Sequence, residues 1–316
     1  MSNNMTDIGK QTMHIHNKEV VYVSAPSNLG LKPMPYADID GPGVRKMPAI
    51  FEEFSFRSRL NIQQSHTIVP PEYTGKVDDK TGIRNLPELI DYTKQYAQVI
   101  KEIVAQKQFP IVIGGDCSIL IGSMLALRQS GNYGLIHIDG HTDYAIAKIS
   151  SSTGGAAGMD LAIVTGIGDD AITNIDSLKP YVNETNTAQL ANRCYDETFN
   201  GNFYNTAIFS ADLPVLRKKG LIKTANAVIA KLKNNKVDGV WLHVDADVLS
   251  TDLMPAVDSP QADGLTYKEL KTMLKTFIKS GLVVGFQITI YDPDLDPDKS
   301  IGKKLVDELV DLFQQV

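Results

Sequence analysis

The chain reads as a three-layer α/β/α sandwich around a mainly parallel β-sheet. Three observations predict it. Short apolar runs such as Ile111-Val112-Ile113 and Gly134-Leu135-Ile136 read as buried strands, and they alternate with segments of helical periodicity. Strands and helices in alternation build parallel β-α-β units whose helices cover the sheet. The third observation is where the polar chemistry falls. Two apolar runs end in acids and histidine, and open α/β sheets bind ligands outside the carboxyl ends of their strands.

Residues 1–18 read as a polar arm and residues 19–316 as one domain, a length that one α/β unit can fill. Residues 20–24 are the first strand. Residues 28–43, rich in Gly and Pro, make a long loop of the kind that walls active sites. A short helix follows over 44–56, and residues 60–69 hold another strand before Pro70-Pro71 breaks the chain. Residues 85–107 are the clearest helix, since Leu86, Leu89, Tyr96, Ile100 and Ile103 keep its spacing. Asn85 is its expected N-cap. Residues 110–115 are a strand ending in a Gly114-Gly115 turn, 117–129 a helix, and the run at 134–136 the next strand.

Small residues over 150–158 form a flexible stretch that could wall a pocket. A helix resumes at 160–166, whereas residues 176–205 carry no pattern that assigns them. Residues 206–210 and 240–245 are strands around a helix at 224–232. Thr266 and Glu269 form a capping box for the helix running to Ile278. Residues 282–290 are the last strand and 301–313 a closing amphipathic helix. Asp292, Asp294, Asp296 and Asp298 lack the glycine and closing glutamate of a calcium loop, so they read as a solvated acidic turn.

A net charge of −6 gives no reason to expect nucleic acid or an anionic membrane as partner. No run approaches the ~18 apolar residues of a membrane span. The polar N-terminus has no signal-peptide core, and two cysteines make no disulfide framework, so a cytoplasmic location is expected.

Asp139, His141 and Asp143 stand at i, i+2 and i+4 after the apolar run at 134–136. With strand periodicity their side chains leave on one side. Carboxylates with an imidazole suit Mn, Fe, Ni or Zn. One such stretch could simply be a polar strand end capping the next helix. A second, His243-Val244-Asp245-Ala246-Asp247, repeats the chemistry. Four acids converging in a dry site cannot all stay ionised unless cations neutralise them, so a binuclear metal centre is the leading expectation.

Gly114-Gly115-Asp116-Cys117-Ser118, Asp139-Gly140-His141-Thr142-Asp143 and Asp245-Ala246-Asp247, in that order, resemble the ureohydrolase family of arginases, agmatinases and formiminoglutamases. The resemblance covers residues 41–312. It implies an arginase-like fold and two Mn2+ ions sharing a hydroxide. It also implies a small guanidino or amidino substrate hydrolysed at a C–N bond, and a homo-oligomer, trimer or hexamer. Asp139 and Asp245 would bridge both metals. Cys117 and Asp143 would complete one, and His141 and Asp247 the other. His141 and Asp143 would act in catalysis with His137 and His243, each two residues before a bridging aspartate and suited to a proton relay.

Four positions depart from the family pattern. Cys117 stands for a histidine ligand and shifts preference toward softer ions. Its place at a helix start beside cations favours thiolate. Ala157 stands for a loop histidine, Ile290 for the glutamate that receives a guanidinium, and Ser250-Thr251 for an Asp-Pro pair. The substrate is therefore expected not to be plain arginine. Asp258 is a candidate to bind a cationic substrate, and Asp116 to support the site rather than bind metal. The alternatives are an arginase-like binding or regulatory protein with one metal or none, and a hydrolase of another amide.

Overall fold

A computed structural model gives the structure and describes residues 12–147 and 154–316. The N-terminal part of the expected arm, residues 1–11, and residues 150–153 of the small-residue stretch lie outside the described residues. The strands are β1 (His14–Ile15), β2 (Lys18–Ala25), β3 (Gln64–Thr67), β4 (Phe109–Gly114) and β5 (Tyr133–Ile138). They continue with β6 (Thr187–Leu190), β7 (Phe209–Ala211), β8 (Gly239–Asp245) and β9 (Val283–Thr289). From β2 the sheet runs β4-β9-β8-β5-β6-β7, all parallel; β3 also joins β2 in parallel, and only β1 is antiparallel.

Strand alternation divides the interior into two cores. Val20 and Tyr22 face one, Val21 and Val23 the other. The first core is closed by helices Met47–Glu53, Leu221–Asn234, Tyr267–Lys279 and Ser300–Phe313, the second by Leu86–Ala105, Ile119–Arg128 and Asp160–Val164. This is the expected three-layer sandwich. β4, β8 and β9 are buried along their whole length because helices cover both sides. The capping box at Thr266 and Glu269 forms as the spacing requires. No helix among the described residues is long and apolar enough to cross a membrane.

Several elements differ from the sequence reading. β6 lies inside the unassigned 176–205 stretch. Thr187-Ala188-Gln189-Leu190 carries no β signal of its own; pairing with β5 and β7 makes it a strand. β7 starts at Phe209, since Phe203–Asn205 forms a 3-10 turn just before. β3 is only four residues, all exposed, at the edge. Asn85 precedes its helix in the left-handed region and makes no side-chain cap. Instead its carboxamide accepts from the Thr74 and Gly75 amides and donates to Leu29 O, tying two loops together. The acidic turn is not solvated throughout: Asp292 and Asp296 are buried. Asp292 accepts from Tyr36 and Asp296 from Tyr291, which accounts for both.

The Gly114-Gly115 turn must be small where β4 meets the loop after β2. A Cβ on Gly115 would overlap the Ser27 carbonyl oxygen, a backbone atom that cannot turn aside. Gly115→Ala is expected to lower stability by about 3 kcal/mol, read as a shift in urea midpoint.

Candidate metal centre

β4, β9, β8 and β5 are consecutive in the sheet, so their carboxyl ends open onto one place. Cys117 follows β4, Asp139 follows β5 and Asp245 ends β8. A donor atom from each of Cys117, Asp139, Asp143 and Asp245 lies within 4.8 Å of the others. Asp139, His141 and Asp247 satisfy the same limit. The two sets share Asp139. All six side chains expected from sequence as metal donors are thus brought together.

Local structure aims each of them. Asp143 takes φ of +46°, the left-handed conformation that aspartate tolerates better than most residues. Asp245 accepts the Asp247 amide at 2.7 Å, which holds the turn linking them. Asp139 accepts the His141 amide through Oδ1 at 2.6 Å, leaving its buried Oδ2 without a hydrogen-bond donor. His141 presents Nδ1 to Asp247 Oδ2 at 2.8 Å, while Gln261 Nε2 or its exchanged oxygen meets the other ring nitrogen at 2.8 Å. Arg193 donates to the Asp247 and Leu249 carbonyls and clasps this loop from behind. Gln261 and Arg193 stand far from the motifs in sequence, and nothing in their surroundings announces them.

Electrostatics separates the acids. Burial would raise Asp139, but the His141 hydrogen bond and the His137 charge bring it down to about 2. Burial, then Asp139 and Asp160, pushes Asp143 well up; burial, then Asp247 and Asp139, does the same to Asp245. His141 is raised despite burial, because Asp247 and Asp139 face it. So many acids in one buried place are costly on their own and suited to cations. The orphaned Asp139 Oδ2 and the mixed O, N and S donors therefore fit a pair of divalent transition ions.

Cys117 lies two residues before its helix and not at its first turn. The helix begins only at Ile119, and the fully buried thiol donates to Asp245 Oδ2 at 2.9 Å. Burial and then Asp245 hold its pKa well above the ordinary value. Burial and Asp245 thus favour the thiol form when no cation is present, and a bound cation would displace that proton to gain the sulfur. Asp116 stays outside both sets, accepting from Ser27 Oγ and the Ser118 amide.

His137 and His243 are fully buried one layer beneath the acids, paired in register across β5 and β8 and stacked at 4.7 Å. His137 Nε2 lies 3.6 Å from Asp139 Oδ2 and 3.3 Å from Asp160 Oδ1. Burial opposes the charge on His137, but Asp160 raises its pKa; burial and His137 hold His243 well below the usual range. Asp160, which the sequence reading passed over, is pushed up to about 7 by burial against the charge of His137.

A cleft of about 160 Å³ opens onto the acids. Asp258 lines it with Ala157, Gly158 and Ile290, and Lys32 stands at the exposed rim. Ile290 is held at φ of +75°, its amide donating to Gly115 O at 2.8 Å.

Fold and donors together define an α/β protein with two adjoining candidate cation sites over the carboxyl edge of its parallel sheet. The profile of the arginase family matches residues 27–312. The chain belongs to the arginase family. It is 28% identical to the arginase of Brevibacillus brevis over 80% of this chain and 83% of that protein. The arginases of Bacillus subtilis (strain 168) and Staphylococcus aureus (strain MRSA252) match at 28% and 32% identity over 61% and 60% of this chain. Those matches span 65% and 63% of the relatives' length. In structure the chain is similar to Bacillus caldovelox arginase, with a TM-score of 0.82, 24% identity and coverage of 94% of this chain and 98% of that one.

Proposed function

We propose that the chain is a binuclear, Mn2+-dependent hydrolase of a guanidino or amidino C–N bond, acting on a small substrate other than plain arginine. The observation that supports it is the pair of donor sets sharing Asp139 at the floor of one cleft. Cys117, Asp139, Asp143 and Asp245 would hold one cation, and Asp139, His141, Asp245 and Asp247 the other. When bound, such cations make hydroxide available near neutral pH and polarise the substrate. The chain's own residues do the rest. Asp258 takes the cationic end of the substrate, and Gln261 orients His141. Ala157 and Ile290 leave the facing wall without an imidazole or a carboxylate, which argues against arginine. We further take the protein to be cytoplasmic and a homo-oligomer, a trimer or hexamer.

A panel of guanidino, hydroxyguanidino and formimino compounds, with urea and ammonia detection on Mn2+-loaded protein, tests the reading. Turnover of a non-arginine member is expected. One tight cation or none after dialysis against Mn2+, with no turnover, would favour the binding-protein alternative, which the apolar wall at Ala157 and Ile290 supports. Release from acyl amides instead would point to the other hydrolase class.

Asp258 adds a pH prediction. Burial, then Asp247, raises it to about 6. Its charge, and hence cation binding, is present above that pH and lost below it. KM is expected to rise as pH falls through 6. Asp258→Asn should remove that dependence and raise KM at neutral pH by about tenfold, the worth of one charged hydrogen bond.

A further inference from the structure

His137, Asp160 and His243 form a further group whose donor atoms lie within 4.8 Å of one another, all fully buried, and His243 also comes within that limit of Cys117 and Asp139. By donor type it could hold another cation. The hydrogen bonds around it say otherwise. An indole N–H can only donate. Trp241 Nε1 donates to Gln287 Oε1 at 2.6 Å, and Ser123 Oγ donates to the same oxygen at 2.7 Å. The carboxamide is thereby oriented, and its Nε2 is the atom 2.7 Å from His243 Nδ1. An amide N–H needs an acceptor, so Nδ1 carries the lone pair and the ring proton sits on Nε2. That proton faces Asp160 Oδ2 at 3.9 Å, a charge contact and not a hydrogen bond. A protonated nitrogen is no metal ligand.

We propose that Gln287 is a positioning residue for the metal centre: it locks His243 as the Nε2–H tautomer, so that the histidine pair holds Asp160 as a supporting carboxylate instead of building a third cation site. Asp160 then faces His137 and His243 as a charge partner, hydrogen-bonded to neither, and Asp139 Oδ2 would be left to the cations. This rests on the reading of Asp139 as a ligand. The device is built across the sheet: His137, His243 and Gln287 are direct register partners on β5, β8 and β9. Their side chains share the face of Trp241, toward the core that Ile119–Arg128 covers.

Histidine side-chain 15N–1H correlation spectra of the full chain test it, with His243 assigned through His243→Gln. The expected wild-type pattern is a bare Nδ1 and a protonated Nε2. Trp241→Phe frees the carboxamide to turn and should give mixed tautomers; Gln287→Glu, an acceptor, should place a proton on Nδ1. Circular dichroism checks that each variant folds. In Mn2+ and Zn2+ titrations the wild type should take up two equivalents, and Gln287→Glu should bind them about tenfold more weakly, the usual reach of an outer partner. A protonated Nδ1 in the wild type, or a third tight equivalent, would overturn the proposal. Nε2–H His243 in a chain that takes up no cation would overturn the reading of Asp139 instead, so the two failures are told apart.

Discussion

Asp245→Ala is expected to empty the centre. Asp245 ends β8, is 4% exposed, and belongs to the donor set of Cys117, Asp139 and Asp143 while its amide-linked neighbour Asp247 belongs to the other. Removing it takes away a charge that both cations would share. The loss of Mn2+ affinity should exceed the 10–100-fold typical of an outer partner, and turnover should vanish with it. Because Asp245 also accepts the Asp247 amide, Asp245→Asn is the cleaner variant: it keeps an acceptor and removes the charge. A second sign follows. Burial and Asp247 raise the Asp245 pKa, so the metal-free folded state binds its proton more tightly than the unfolded chain. Ionising it therefore costs stability as pH rises above the unfolded value of about 4. Metal-free Asp245→Asn should melt higher than metal-free wild type at pH 7, and should lose the rise in Tm that Mn2+ gives the wild type. Two manganese ions per chain retained by Asp245→Asn after dialysis would sink the assignment.

Cys117→His should raise Mn2+ affinity by about tenfold or more and lower the preference for Zn2+. A thiolate is the softer donor, and here its proton is held tightly by burial and Asp245. An imidazole binds through a lone pair with no proton to displace at neutral pH. Thr289 and Asp245, both 2.9 Å from the sulfur, crowd the larger ring on one side, but Cys117 also lines the cleft, where there is room. Competition titrations with Mn2+ and Zn2+ give the answer. Unchanged affinity and selectivity would mean that residue 117 is not a ligand.

Much of this was legible in the residues themselves. Asp139, His141 and Asp143 announce a shared direction because strand geometry repeats every two residues, and Asp245 with Asp247 repeats the signal. The capping box at Thr266 needs only its own four residues. Asn85 misled because a local cap rule was overridden by distant loops: its carboxamide reaches Thr74, Gly75 and Leu29 instead of the helix behind it. Asp292 and Asp296 misled likewise, their burial being supplied by Tyr36 and Tyr291.

By itself, the sequence determined the alternation of strand and helix, the three-layer class and the donor types of the centre, since each depends on residues within a few positions of one another. Tertiary structure decided the rest. It made a strand of Thr187–Leu190 by pairing both its edges, and it buried the Cys117 thiol against Asp245. It also set Gln261 on His141 and Trp241 on Gln287. The physical reason is common to all four: hydrogen-bond partners and charges brought across the sheet from far along the chain set a group's state, and no local pattern records who they will be.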